Sequence, residues 1–448
     1  MSGFEAVTKK DLERMSREYS ENRLAKAMTN ALSKHNIKDI AFSNKGLKEA
    51  QFQFSVDLKT MSATNQKKSG RCWIFSALNV LREVVAKKCN IEKFELSQNY
   101  VAFWDKYEKA NYFLESMIDL ADRPATDRLV TFILDMGIQD GGQWDMFVNA
   151  VSKYGVVPKS AMEESFQSSN TADMNHLINT KLRKGAVALR KAVSEGKSKA
   201  EVKEVKNGIL SELYNLFCMC FGEPPVKFDF EYTDKDKNYH VDRSLDPKSF
   251  YDKYIGFDLE NDFVSIINSP TEDKPFYERV TIDYLGNVAE GRAVSYINLP
   301  MEEVKELIVK QLKDGEPVWF GSDVGHMGER EMGIWSDGCY DFDNTLGIDF
   351  SMTKAERLNY RESAMNHAMV ITGVNLDESG KPDRWKIENS WSEENGNKGY
   401  YIMNAGWFDK FVYQAVVRKK HLNEKQLEAL GKEPIHFSPW DPMGTLAD

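Results

Sequence analysis

The sequence predicts an α+β protein in which a helical front half faces a sheet-forming back half. Three observations carry that expectation. Ile74, Ala77, Leu78, Leu81 and Val85 recur at helical spacing behind a glycine-containing loop. The last third holds short apolar runs at 368–374, 385–388, 399–403 and 411–417, parted by polar turns such as Glu394-Asn-Gly396. A chain of 448 residues, 42% hydrophobic and 12% aromatic, also has enough apolar surface for one large core or two. Helices packed on a sheet leave a cleft between the two layers, where a site can form.

Fifty-nine Lys and Arg stand against 69 Asp and Glu, a formal charge of -10. That balance speaks against nucleic acid or an anionic membrane as the main partner, because both need a basic footprint. The first residues lack a basic stretch followed by an apolar core, so no secretory signal is expected. No run is long enough to cross a bilayer. Five cysteines, at 72, 89, 218, 220 and 339, are too sparse for a disulfide framework. They point to a reducing, cytoplasmic setting in which a reactive thiol survives.

Taken in order, residues 1–60 read as an N-terminal helical arm and lead-in. Leu12, Met15, Leu24, Ala27, Met28 and Ala31 mark a helical stripe through a charged stretch without Gly or Pro. Phe52, Phe54 and Val56 then alternate as an extended segment. Residues 61–159 read as a helical lobe, centred on Gln66-Lys-Lys-Ser-Gly-Arg-Cys72-Trp-Ile-Phe-Ser76. The loop turns at Gly70 and delivers Cys72 to the first turn of a buried helix. Unpaired N–H groups and the positive helix end favour a thiolate there, and the thiolate is the nucleophile. Gln66 can fold its amide back towards an oxyanion. Ser97 is a good N-cap for a helix through Tyr107. Asp140-Gly141-Gly142-Gln-Trp144 interrupts a helical pattern, and paired glycines let backbone approach a ligand closely.

Residues 160–300 read as an inserted lobe, charged and helical over 173–214, then strand-forming at 228–232, 280–284 and 293–297. Residues 301–438 read as a sheet-rich lobe, opened by an amphipathic helix over 302–313 and a strand over 317–321. Residues 439–448 form a small tail without helix or strand signals.

Two residues of the back half change the meaning of Cys72. His367 begins an apolar strand, from which its ring can face a cleft. Asn389, in Glu388-Asn-Ser-Trp391, can accept the imidazole N–H while Trp391 keeps water from that bond. Alone, a histidine or asparagine in such a place is commonly structural. In the order Gln, Cys-Trp, His-Ala, Asn-Ser-Trp they supply a thiolate–imidazolium pair, an orienting group and an oxyanion donor. Metal chemistry has no comparable support. Cys218-Met-Cys220 lacks a second pair at zinc spacing, and a calcium-like start at Asp341 fails at Leu346 and Met352. Nucleotide fingerprints are absent, so neither a metal nor a cofactor is expected.

On these motifs the chain resembles the papain superfamily of cysteine peptidases, and within it the aminopeptidase C and bleomycin hydrolase branch. The likeness runs through 65–76, Asp140-Gly-Gly-Gln-Trp-Asp145, Asn366-His-Ala-Met369, Glu388-Asn-Ser-Trp391 and Pro439-Trp-Asp-Pro-Met-Gly444. It implies a papain-like two-lobe fold, with a helical left lobe and a β-barrel-like right lobe, to which the inserted lobe and the arm are added. It implies Cys72 as nucleophile, His367 as general acid/base, Asn389 as its orienting partner and Gln66 in the oxyanion hole. Gly141, Gly142 and Asn366 would meet the substrate, with Trp391 as a shield.

The resemblance further implies a cytosolic thiol aminopeptidase, a homohexamer acting on peptides with a free N-terminus. The tail would enter the cleft and meet the substrate's amino group through a terminal carboxylate. Ala447 and Asp448 would then take part in substrate binding, with Asp448 a candidate for trimming. Ser69-Gly-Arg-Cys72 lacks the neighbouring cysteine that papain uses in a disulfide, which fits the cytosolic branch. The same triad would serve a bleomycin hydrolase-like amide or thiolactone hydrolase. A nucleic-acid-binding protein on a papain scaffold is a further reading, one that the charge disfavours.

Overall fold

The stretch 9–34 folds as α1 (Lys9–Glu21) and α2 (Arg23–Leu32), whose first turns are capped by Thr8 and Asn22. Neither helix buries a residue. The structure, a computed structural model, describes residues 3–447.

Four helices follow between residues 72 and 154: α3 (Cys72–Cys89), α4 (Gln98–Asp119), α5 (Arg128–Met136) and α6 (Trp144–Tyr154). Arg71 offers α3 no side-chain cap, and the helix ends at Asn90 in the left-handed region, φ 50°. The Ser97 hydroxyl accepts the Tyr100 N–H at 3.1 Å, so α4 starts where the sequence places it and runs on to Asp119. Two long helices, α7 (Ala172–Ser194) and α8 (Lys199–Phe221), pack on α4. A hairpin of β1 (Phe228–Thr233) and β2 (Tyr239–Leu245) stands apart as a two-stranded sheet.

Among the described residues the other strands join one twelve-stranded sheet. Its main members are β3 (Phe263–Ile267), β4 (Arg279–Ile282), β5 (Ser295–Asn298), β6 (Val318–Ser322), β7 (His367–Leu376), β8 (Pro382–Glu388), β9 (Tyr400–Asn404), β10 (Val412–Arg418) and β11 (Ile435–Phe437). The order in space is β11-β4-β5-β3-β10-β6-β7-β8-β9, continued by short strands at Ile334–Trp335 and Gly328–Glu329. Val56–Asp57 pairs on β7.

No ladder among the described residues joins β11 to the far edge, so the barrel-like lobe expected from the resemblance takes the form of an open sheet. The physical reason lies in β3, β4 and β5, which prolong the sheet past β10 and keep its edges apart.

Alternation along β6 and β7 divides the core in two. Trp319, Ala368 and Val370 pack with α3 and α6, while Val318, Phe320, Met369 and Ile371 pack with Val304, Leu307 and Ile308 of α9 (Met301–Lys313). Both faces are covered, and eight successive residues of β7 from His367 to Val374 are buried. A strand clamped this way has one register, and that register positions the site.

Candidate active site

His367 opens β7 opposite Ser322 of β6. The next residue bonds the strand to the helix start. The Ala368 N–H donates to Cys72 Sγ at 3.3 Å, and Ser76 Oγ donates to the Ala368 carbonyl at 2.8 Å. The first turn of α3 is thus pinned to the peptide that follows the histidine.

His367 Nε2 meets Asn389 Oδ1 at 2.9 Å. The same amide oxygen accepts the Ser390 N–H at 2.8 Å, which holds it in place. An amide oxygen only accepts, so Nε2 is assigned the proton and Nδ1 is the basic nitrogen. The Trp391 ring stacks on the imidazole, centroids 4.7 Å apart and planes at 28°. Arg330 lies over that indole at 4.3 Å.

Burial pushes His367 down to about 4; the Asn389 bond opposes the fall and the Arg330 charge adds to it. That burial favours the neutral ring. Cys72 (0% exposed) and His367 (2%) are both sealed from water, where a lone charge loses its hydration.

Gln66 is fixed at both ends of its amide. Oε1 accepts from Ser390 Oγ at 2.6 Å and Nε2 donates to the Ser69 carbonyl at 2.7 Å. That leaves Nε2 one further hydrogen.

The loop before α6 is held from beneath. The Asp140 carboxylate accepts from the Gly70 N–H and Asn175 Nδ2, both at 2.9 Å, and from the Thr171 hydroxyl, and it pairs with Lys106 at 2.5 Å. Burial alone would raise this carboxyl, but Lys106 and the hydrogen bonds override it and hold it well below the usual range. Lys109 Nζ donates to the Gly141 carbonyl at 2.7 Å. A Cβ on Gly142 would stand 2.5 Å from the Trp73 ring, and one on Gly141 would stand 2.8 Å from the Ala447 carbonyl oxygen. Both glycines are required by close approach.

Ala447 fills the space that Gly141 leaves. It exchanges two backbone hydrogen bonds with Gly142, at 3.1 and 3.2 Å, as an antiparallel pair. Gln143 Nε2 donates to the Thr445 carbonyl at 2.6 Å. Asp448 lies outside the described residues.

Asn366 is placed beside His367, but its amide is engaged elsewhere. Nδ2 donates to Asp323 Oδ1 at 2.6 Å and Oδ1 accepts the Val324 N–H at 3.0 Å. Buried Asp323 also takes the Ser363 hydroxyl at 2.6 Å and faces His326 Nε2 at 3.2 Å. Sequence reasoning missed this cluster, although Asp323-Val-Gly-His326 directly after a strand was a usable signal. It also missed Arg82, whose Nη2 donates to Glu388 Oε1 at 2.8 Å beside Asn79 Nδ2, also at 2.8 Å. A charge set among Leu78, Leu81 and Val85 has to find a buried partner, and this one ties α3 to the residue before Asn389.

A helix-borne sulfur and a strand-borne imidazole with one basic nitrogen can share thiol acyl transfer, the chemistry that defines the cysteine peptidases. Comparison with known proteins narrows that class. A profile described as the Peptidase C1-like family matches residues 6–444. Aminopeptidase C of Listeria monocytogenes is 47% identical across 98% of this chain and 99% of its own. Bleomycin hydrolase of Homo sapiens is 42% identical across 92% and 93%. The crystal structure of PepW from Lactobacillus rhamnosis matches with a TM-score of 0.97 at 47% identity, covering 100% of both chains. The chain belongs to the Peptidase C1-like family.

Proposed function

We propose that this chain is a cytosolic thiol aminopeptidase with a papain-like two-lobe core, which removes N-terminal residues from peptides. The observation that carries the reading is the Ala368 N–H bond to Cys72 Sγ, which sets the sulfur beside the residue following a histidine held by Asn389. In the first step Nδ1 of His367 takes the Cys72 proton as the sulfur attacks the carbonyl carbon. The remaining Gln66 amide hydrogen and the Cys72 N–H, at a helix start without a side-chain cap, receive the oxyanion. The imidazolium then gives its proton to the departing amine, leaving an acyl-enzyme. Nδ1 next draws a proton from water, hydroxide attacks the thioester, and the thiol returns with release of the acid. Asn389 keeps the ring aligned throughout, and Trp391 covers the Nε2 bond.

The segment 439–448 limits access. Ala447 pairs with Gly142 where a substrate backbone would pair, which supports an end-directed enzyme in which a terminal carboxylate meets the substrate's amine. The relatives named Aminopeptidase C support the same activity. A homohexamer belongs to this reading as well.

A second reading, an amide or thiolactone hydrolase with the same triad, draws on the 42% identity to bleomycin hydrolase. Rates on an aminoacyl-amide and on a thiolactone separate the two. Cys72→Ala is expected to abolish turnover of aminoacyl-amides while circular dichroism stays unchanged. Turnover surviving that change overturns the assignment.

A further inference from the structure

The Asn389 amide is tied down at its oxygen. Oδ1 faces His367 Nε2 at 2.9 Å and accepts the Ser390 N–H at 2.8 Å. A half-turn of the amide would set its NH2 group against two donors and release the ring. The group that would change places with Oδ1 is Nδ2. It is buried, and among the described residues it has no partner within hydrogen-bond distance. A buried donor of that kind calls for an acceptor.

The ladder between β8 and β9 brings one near. Ile387 pairs with Tyr401, Glu388 pairs with Tyr400, and the Asn389 N–H donates to the Gly399 carbonyl at 3.2 Å. Opposed residues of an antiparallel pair share a face, so Asn389 and Tyr401 are diagonal neighbours on one face, a separation that an aromatic side chain spans. Tyr401 is wholly buried. Its ring stacks on Trp335, centroids 4.6 Å apart, and meets Trp391 edge-on at 6.0 Å. Its hydroxyl, like Nδ2, has no partner within hydrogen-bond distance among the described residues. Burial lifts the phenol to about 12, and the Arg330 charge and the Asn389 amide pull against that rise.

We propose that Tyr401 is a positioning residue for the reaction: its hydroxyl oxygen takes up Asn389 Nδ2 and so keeps Oδ1 turned to the imidazole. Catalytic hydrogen bonds are often loose before substrate arrives and tighten in the reacting complex. As the imidazole gains its second proton, Oδ1 draws the Nε2 proton closer, the amide polarises, and Nδ2 becomes a stronger donor towards Tyr401. Tyr401 acts through Asn389 and not on the substrate. The inference rests on the proposed roles of His367 and Asn389.

The test is a cycle of variants on aminoacyl-amide turnover: Tyr401→Phe, Asn389→Ala and the two combined. Phe keeps the ring between Trp335 and Trp391, and circular dichroism checks each fold. Tyr401→Phe is expected to lower kcat about 5-fold, the worth of one neutral hydrogen bond, with KM unchanged. In the Asn389→Ala chain the same change is expected to cost nothing further, because groups that act as a unit do not add. A role in packing alone lowers kcat by the same factor in both backgrounds. That result, or a kcat that Tyr401→Phe leaves unmoved, overturns the role of Tyr401 alone. Full turnover by Asn389→Ala removes the reading of the triad, and this inference with it.

Discussion

In the proposed mechanism His367 acts as a base while sealed from water, and burial bears on the form in which it waits. Its native value near 4 lies below the ordinary 6.5. Between those values an unfolded chain binds a proton that the native chain refuses. The histidine's share of stability is therefore full above pH 6.5 and is lost as pH falls through 4. His367→Gln keeps a donor for Asn389 and removes the titration. Unfolding free energies from urea titrations between pH 7 and pH 4 should fall more steeply for the natural chain, by up to about 3 kcal/mol across the window. Parallel slopes would contradict a neutral resting imidazole. Cys72, His367 and Asn389 were singled out from the sequence because the proposed chemistry needs given residue types at a helix start, a strand start and a strand end. Arg330 was not. It comes to Trp391 only through folding, and nothing in Gly328-Glu329-Arg330 announces that contact.

At the level of elements, α3 and β8 have to keep sulfur and asparagine in one frame, and Arg82 with Glu388 is the link. Both side chains are almost wholly buried, 2% and 1% exposed, with nitrogen and oxygen 2.8 Å apart. Burial lifts Glu388 to about 7 against the pull of Arg82. A pair under that strain adds little net stability, but removing one partner strands the other. Arg82→Ala is therefore expected to cost about 3–5 kcal/mol in chemical denaturation, and Arg82→Met combined with Glu388→Met to recover most of it. A single variant as stable as the natural chain would show that the pair is dispensable. The elements themselves were largely legible: a short apolar run marked β7, and Ser97 marked the start of α4. Strand order was not, because β3, β4 and β5 carry no local sign of which neighbour they will join. The barrel-like expectation gave way to an open sheet at that step.

For the whole molecule, the helices that bury nothing pose the sharpest question. A helix as short as α1 or α2 is marginal in water on its own propensity, yet Leu12, Met15 and Tyr19 of α1 are 57%, 47% and 50% exposed. A different face, on α7 and α8, leaves Leu177, Val187 and Met219 at 57%, 69% and 77%. A dimer about a single twofold axis needs one self-complementary patch, whereas a closed assembly of six copies built on crossed axes uses two kinds of contact. Two separate apolar faces on one chain suit the second arrangement, the proposed homohexamer. Removing residues 1–34 should then leave a smaller assembly held by the α7–α8 face, and Val187→Glu with Met219→Glu a smaller one held by the arm. Combining both changes should give monomers that still turn over small aminoacyl-amides, since Cys72, His367 and Asn389 all lie within one chain. Light scattering during size-exclusion chromatography reads each mass. A natural chain that runs as a monomer at micromolar concentration, or one whose mass neither change alters, would remove the assembly from the reading and leave the active site as it stands.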